Sequence, residues 1–76
     1  MDQLVGLMAE CLRLPPGDIT PELSIENSAA WDSLKHMEVV LSIEEQFGIR
    51  LTADEIVAMT SVGEIHRILV AKGVIG

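Results

Sequence analysis

Apolar residues recur along this chain at spacings of three and four, the period of a helix, and the runs are separated by Pro, Gly and capping residues. The first run holds Leu4, Val5, Leu7, Met8, Cys11 and Leu12, a single stripe on a helix that Asp2 would cap. Gly6 weakens this helix locally without breaking the stripe. Pro15-Pro16-Gly17 stops it, because the residue before a proline is driven out of the helical region and proline has no N–H to donate. From Pro15 to Asp32 no period is sustained, so a long connection is expected, with Ile19, Leu23 and Ile25 as its apolar anchors.

The longest amphipathic run follows, from Asp32 or Ser33 to Phe47, with Gly48 suited to the left-handed position just past a helix end. At about 100° per residue its apolar side chains divide into two stripes. Val39, Val40, Ile43 and Phe47 share one side and read as core. Leu34, Met37 and Leu41 fall on another, bordered by Glu38, Glu44 and Glu45. A bundle helix needs one buried face. The second stripe either packs on the long loop or forms a partner surface, and the pattern alone does not choose. Trp31 is equally open: it either closes the end of the core or stands exposed beside Ser33.

Ile49-Arg50-Leu51 reads as a short extended link. Thr52-Ala53-Asp54-Glu55 has the spacing of a capping box and opens a short third helix to about Met59, with Ile56, Val57 and Met59 apolar. Ser61-Val62-Gly63-Glu64 reads as a second box, opening a last helix with Ile65, Ile68 and Leu69 inward. Gly73 ends it, with Lys72 in the last turn, where a cation suits the helix dipole. With no strand period and no repeat, the expected fold class is all-α: four helices, a long first loop and a short third helix, in a single domain over residues 1–76.

Composition narrows the function classes. The 76 residues carry a formal charge of -7, which argues against nucleic acid or an anionic membrane as partner and favours basic protein surfaces. No apolar run approaches a membrane span, and no secretory leader pattern opens the chain. The lone Cys11 cannot form an internal disulfide and sits at core spacing, so a reducing, cytoplasmic setting is expected.

Enzyme constellations are absent. Ser33 and His36 are three apart on one helix, poor geometry for a nucleophile and its base. His36, His66 and one cysteine do not make metal-ligand spacing, and the acidic residues do not follow a calcium-loop pattern. What stands out is Ser33 itself. A serine at this position is ordinarily a cap, but a helix N-terminus also suits a bound phosphodiester, and Ser33 borders the acidic-apolar stripe.

Asp32-Ser33-Leu34, then Glu38, Ile43-Glu44-Glu45-Gln46-Phe47-Gly48-Ile49 and Thr60-Ser61-Val62-Gly63-Glu64-Ile65 together resemble the acyl carrier protein family over nearly the whole chain. The length is similar to that of a freestanding, monomeric carrier. The resemblance implies a four-helix bundle that is not an enzyme. It implies that Ser33 receives 4'-phosphopantetheine from coenzyme A through a phosphopantetheinyl transferase. The arm's thiol would then carry acyl groups as thioesters to the loading and processing enzymes of fatty acid, polyketide or related biosynthesis. It implies docking on basic patches of those enzymes through Asp32, Glu38, Glu44 and Glu45, with Leu34, Met37 and Leu41 as apolar contacts. Lys35 stands where many carriers of primary fatty acid synthesis have an acidic residue. Trp31 replaces a small residue, and the Gly-Gly-x-Ser of peptidyl carriers is missing. The Trp-Asp-Ser-Leu form looks more like carriers of polyketide or other specialised pathways. The alternatives are an aminoacyl or D-alanyl carrier, and an acidic helical adaptor that needs no prosthetic group.

Overall fold

The computed structural model describes residues 2–75. In chain order it contains α1 (Asp2–Leu12), a 3₁₀ turn (Pro16–Asp18), α2 (Ser33–Phe47), α3 (Ala53–Ala58) and α4 (Val62–Ala71). The all-α architecture with a long first loop and short third helix is as expected.

The helix ends explain the boundaries. Asp2 lies within the first turn of α1 rather than ahead of it. The helix stops before the prolines: Arg13 adopts φ 57, and the Leu14 N–H donates to the Ala9 carbonyl at 3.1 Å. This is the six-to-one closure of a Schellman end, with arginine where glycine is usual. α2 closes the same way at Gly48, φ 64, with Ile49 N–H on the Glu44 carbonyl. α4 repeats it at Gly73, φ 77, with Val74 N–H on the Leu69 carbonyl. Lys72 is the residue just beyond α4, and its ammonium reaches across to Glu55 of α3 at 3.1 Å, so a cross-helix pair replaces the expected dipole role.

At their starts, α3 has the full capping box of Thr52 and Glu55. The box expected at α4 is half formed. Ser61 accepts from the Glu64 N–H, but the Glu64 carboxylate turns to Arg67, whose guanidinium donates to it at 2.7 Å.

The core gathers Leu4, Leu7, Met8 and Leu12 of α1, Val39, Val40 and Ile43 of α2, and Val62, Ile65, Ile68 and Leu69 of α4. Phe47, Val5 and Cys11 pack against it half-buried, the Cys11 thiol facing the Ser42 hydroxyl at 3.4 Å. α3 has no buried residue of its own; Leu51 before it and Met59 after it supply the burial.

The long loop is fastened through its backbone. Ile19 is buried, and Leu23 and Ile25 are half-buried. Asn27 and Ser24 exchange side-chain-to-backbone bonds, and the Asn27 amide donates to the Glu22 carbonyl. Ser24 pairs with Ser61 in an isolated antiparallel bridge flanked by Ile25 N–H to Thr60 O and Val62 N–H to Leu23 O. Gly63 N–H then donates to the Pro21 carbonyl, and a β-carbon there would stand 3.1 Å from that oxygen. Three of these bonds tie residues 21–25 of the loop to the start of α4, and the loop's other backbone partners are within the loop itself.

Candidate functional site

α2 begins where Asp32 takes an extended conformation, φ -95 and ψ -175, and its carboxylate accepts from the Lys35 N–H at 2.9 Å. The Asp32 carbonyl accepts from the His36 N–H at 2.8 Å, closing the first turn. Capping therefore falls to Asp32. Ser33 is the first helical residue, exposed, and its hydroxyl is left out of the capping bond. An exposed oxygen at a helix N-terminus fits a phosphodiester, since the dipole there favours negative charge.

The two open alternatives in the pattern resolve here. Trp31 is buried, at 1% exposure, rather than standing beside the serine. Its indole N–H donates to His36 Nδ1 at 3.1 Å, with the rings 6.0 Å apart. Indole is a donor only, so Nδ1 is the acceptor and the ring hydrogen lies on Nε2, which donates to the Ile56 carbonyl at 2.9 Å. His36 is thus no base for Ser33; both its nitrogens are engaged away from it. The second stripe does not pack on the loop: Leu34, Met37 and Leu41 are 73%, 48% and 60% exposed. Val57 of α3, which the pattern marked only as apolar, is 76% exposed.

The acidic rim is not uniform. Glu38 is exposed but paired with Lys35 at 3.1 Å. Glu45 is exposed on the outer face. Glu44 is half-buried, and its carboxylate accepts from the Leu51 N–H at 2.8 Å, joining α2 to the link before α3. Asp32 is exposed, with one oxygen committed to the cap.

The phosphopantetheine attachment site family matches residues 2–69 of this sequence. The chain belongs to the acyl carrier protein family. It is 36% identical over 61 residues to the "Acyl carrier protein" of Acidothermus cellulolyticus, covering 80% of this chain and 73% of that protein. Against "Polyketide-8 synthase acyl carrier protein 2" of Streptomyces avermitilis it is 28% identical over 71 residues, 93% of this chain and 82% of the relative. Against "Acyl carrier protein 2, mitochondrial" of Arabidopsis thaliana it is 30% identical over 54 residues, 71% of this chain but 43% of that protein. The carrier is accordingly a phosphopantetheine-bearing protein and not itself a catalyst. Among the described residues no helix is long and apolar enough to cross a membrane.

Proposed function

We propose that Ser33 is the attachment point of the 4'-phosphopantetheine arm, and that the exposed face of α2 behind it docks the enzymes that load and process its cargo. The observation that carries this is the division of labour at the start of α2: Asp32 caps, and the adjacent hydroxyl is exposed and outside the capping bond. In the attachment step, Ser33 Oγ forms a bond to the phosphorus that bears pantetheine in coenzyme A. The pyrophosphate P–O bond breaks, adenosine 3',5'-bisphosphate leaves, and the serine proton passes to a base of the transferase or to solvent. When bound, the group supplies a thiol that holds an acyl chain as a thioester. A tethered cargo has a high effective concentration at whichever active site the carrier docks.

Leu34, Met37 and Leu41 form the apolar part of the proposed docking face, and Asp32, Glu38 and Glu45 its acidic part. Glu44 contributes through its charge, although its carboxylate is already bound to the Leu51 N–H. The partners are a phosphopantetheinyl transferase and biosynthetic enzymes with basic patches. Likeness to relatives named as acyl and polyketide synthase carriers supports acyl rather than aminoacyl cargo. The whole chain acts as one carrier domain, a monomer in the cytoplasm; the single half-buried Cys11 is compatible with a reducing compartment.

Incubation with coenzyme A and a promiscuous transferase should add one phosphopantetheine to the intact mass, and Ser33→Ala should abolish the gain. No gain in the native sequence, or a gain that survives the substitution, overturns the assignment. For docking, joint reversal of Glu38 and Glu45 to Lys should slow transfer from a cognate enzyme while leaving the chain folded; an unchanged rate removes those residues from the face.

A further inference from the structure

We propose that His36 is a positioning residue for the modification of Ser33, holding the serine's approach in place by tying Trp31 to α3. The inference rests on Ser33 as the attachment point. Residues 31 and 36 bracket the turn that contains Asp32, Ser33, Leu34 and Lys35. Both flanks of that turn are held by His36: its backbone N–H closes the turn on the Asp32 carbonyl, and its side chain accepts the Trp31 indole N–H. The far nitrogen donates to the Ile56 carbonyl, so the bracket is anchored outside α2.

A capping bond alone fixes Ser33 relative to α2. It does not fix the chain that enters the helix, which arrives from a long irregular loop. That entry is set by Trp31, whose ring is immersed in the core. A buried indole N–H without an acceptor is costly, and the ring then has reason to turn outward toward water. Because Trp31 is two residues before Ser33, such a rotation carries the 31–33 backbone with it. α3 gains as well, since the imidazole ties the Ile56 carbonyl of a helix that buries no residue fully. Displacing a reacting oxygen by about 1 Å costs up to roughly a hundredfold in rate, so a loosened Trp31 should act on the transfer step rather than on coenzyme A binding.

The test uses the full chain, coenzyme A and a promiscuous transferase, with modification followed by intact mass. His36→Phe keeps an aromatic ring and removes both bonds. His36→Asn keeps an acceptor close to the place of Nδ1. The expected result is a roughly tenfold or greater loss of kcat in His36→Phe with the KM for coenzyme A unmoved. His36→Asn should recover most of the rate. Trp31, the sole tryptophan, reports independently: its emission should shift to the red in His36→Phe and less so in His36→Asn. Equal kcat in the native chain and a folded His36→Phe overturns the proposal, as does a loss that appears wholly in KM. If His36→Phe does not fold, Trp31→Phe serves in its place, since it removes the donor together with part of the buried ring; a native kcat in that variant also overturns the proposal. A native chain that is not modified at Ser33 at all defeats the attachment reading itself, whereas normal modification with no dependence on His36 or Trp31 defeats this inference alone.

Discussion

Glu44 separates a fold-holding carboxylate from a docking one. Its carboxylate accepts from the Leu51 N–H at 2.8 Å, and Leu51 is nearly buried, at 9% exposure. Truncation to Ala leaves that N–H with poor access to water. A hydrogen bond to a charged group contributes about 1.5–3 kcal/mol. Glu44 is only half-buried, which favours the lower part of that range. A carboxylate in the last turn of α2 also opposes the helix dipole, and removing it returns about 0.3–1 kcal/mol. The expected net loss for Glu44→Ala is therefore about 0.5–1.5 kcal/mol, a fall in thermal midpoint of roughly 2–12 °C for a domain of this size. Glu45→Ala, one residue along and exposed, should stay within about 0.5 kcal/mol of the native chain. Glu44→Gln should recover part of the loss, because its amide oxygen still accepts. Urea unfolding measures this directly, provided the slope stays constant and only the midpoint moves. Equal stabilities for Glu44→Ala and Glu45→Ala would refute the reasoning. If it holds, a charge reversal at Glu44 is no clean probe of docking, because lost enzyme transfer then mixes a weakened fold with a weakened interface.

Two further substitutions test the helix ends and the α3–α4 pair. Arg13→Gly should stabilise by about 0.5–1 kcal/mol, since relief of the left-handed strain at φ 57 exceeds the added entropy of the unfolded chain; a destabilised variant in the same urea titration would count against the strain. Glu55 has a carboxyl pKa held below its ordinary 4.5, chiefly by the Thr52 N–H, with Lys72 adding to the effect. A depressed folded-state pKa means that its contribution is complete above pH 4.5 and is lost as pH falls through the folded value. The stability advantage of the native chain over Glu55→Gln should therefore shrink on acidification below about pH 4.5, read as thermal midpoints across that range; a constant gap would show that the charge is not responsible.

What the sequence disclosed follows from which forces are local. α2 was legible from Asp32 or Ser33 to Phe47 because its apolar period and Gly48 at its end act within one or two turns. The Thr52–Glu55 box was legible for the same reason. The Ser61 box read identically but formed only half, because Arg67 lies three residues beyond Glu64 and competes for its carboxylate. The stop at Arg13 carried no signal, since a left-handed residue that is not glycine looks like any other arginine. Trp31 has no place in the pattern because the loop before it has no period; its indole N–H is met by His36, whose ring is tied in turn to Ile56, twenty residues further on. Glu44 sits on the polar rim of a helical wheel, yet its partner lies in the non-helical link, where no wheel extends. Ser33 stood out by its place at the helix start beside the acidic-apolar stripe, where the pattern read it as the cap; the cap is Asp32, and the group Ser33 is proposed to carry became visible only through family resemblance.

The electrostatics around Ser33 divide arrival from retention. The whole chain carries a formal charge of -7, which speeds encounter with a basic partner over a range set by a Debye length of about 8 Å at physiological salt. At contact the picture differs, because Lys35 already occupies Glu38 at 3.1 Å. An exposed pair of this kind contributes about 0–1 kcal/mol. A partner's lysine or arginine that displaces Lys35 therefore exchanges one weak pair for another and gains little. Beside the exposed carboxylates of Asp32 and Glu45, the proposed face gains from Leu34, Met37 and Leu41, which are solvent-exposed in the free chain and lose water on contact. Such a face favours fast association and fast release, which suits a carrier that must visit several enzymes in turn. Lys35 thus does not abolish acidic steering; it weakens Glu38 as a contact and shifts weight, in the proposed docking, to the apolar side chains beside it.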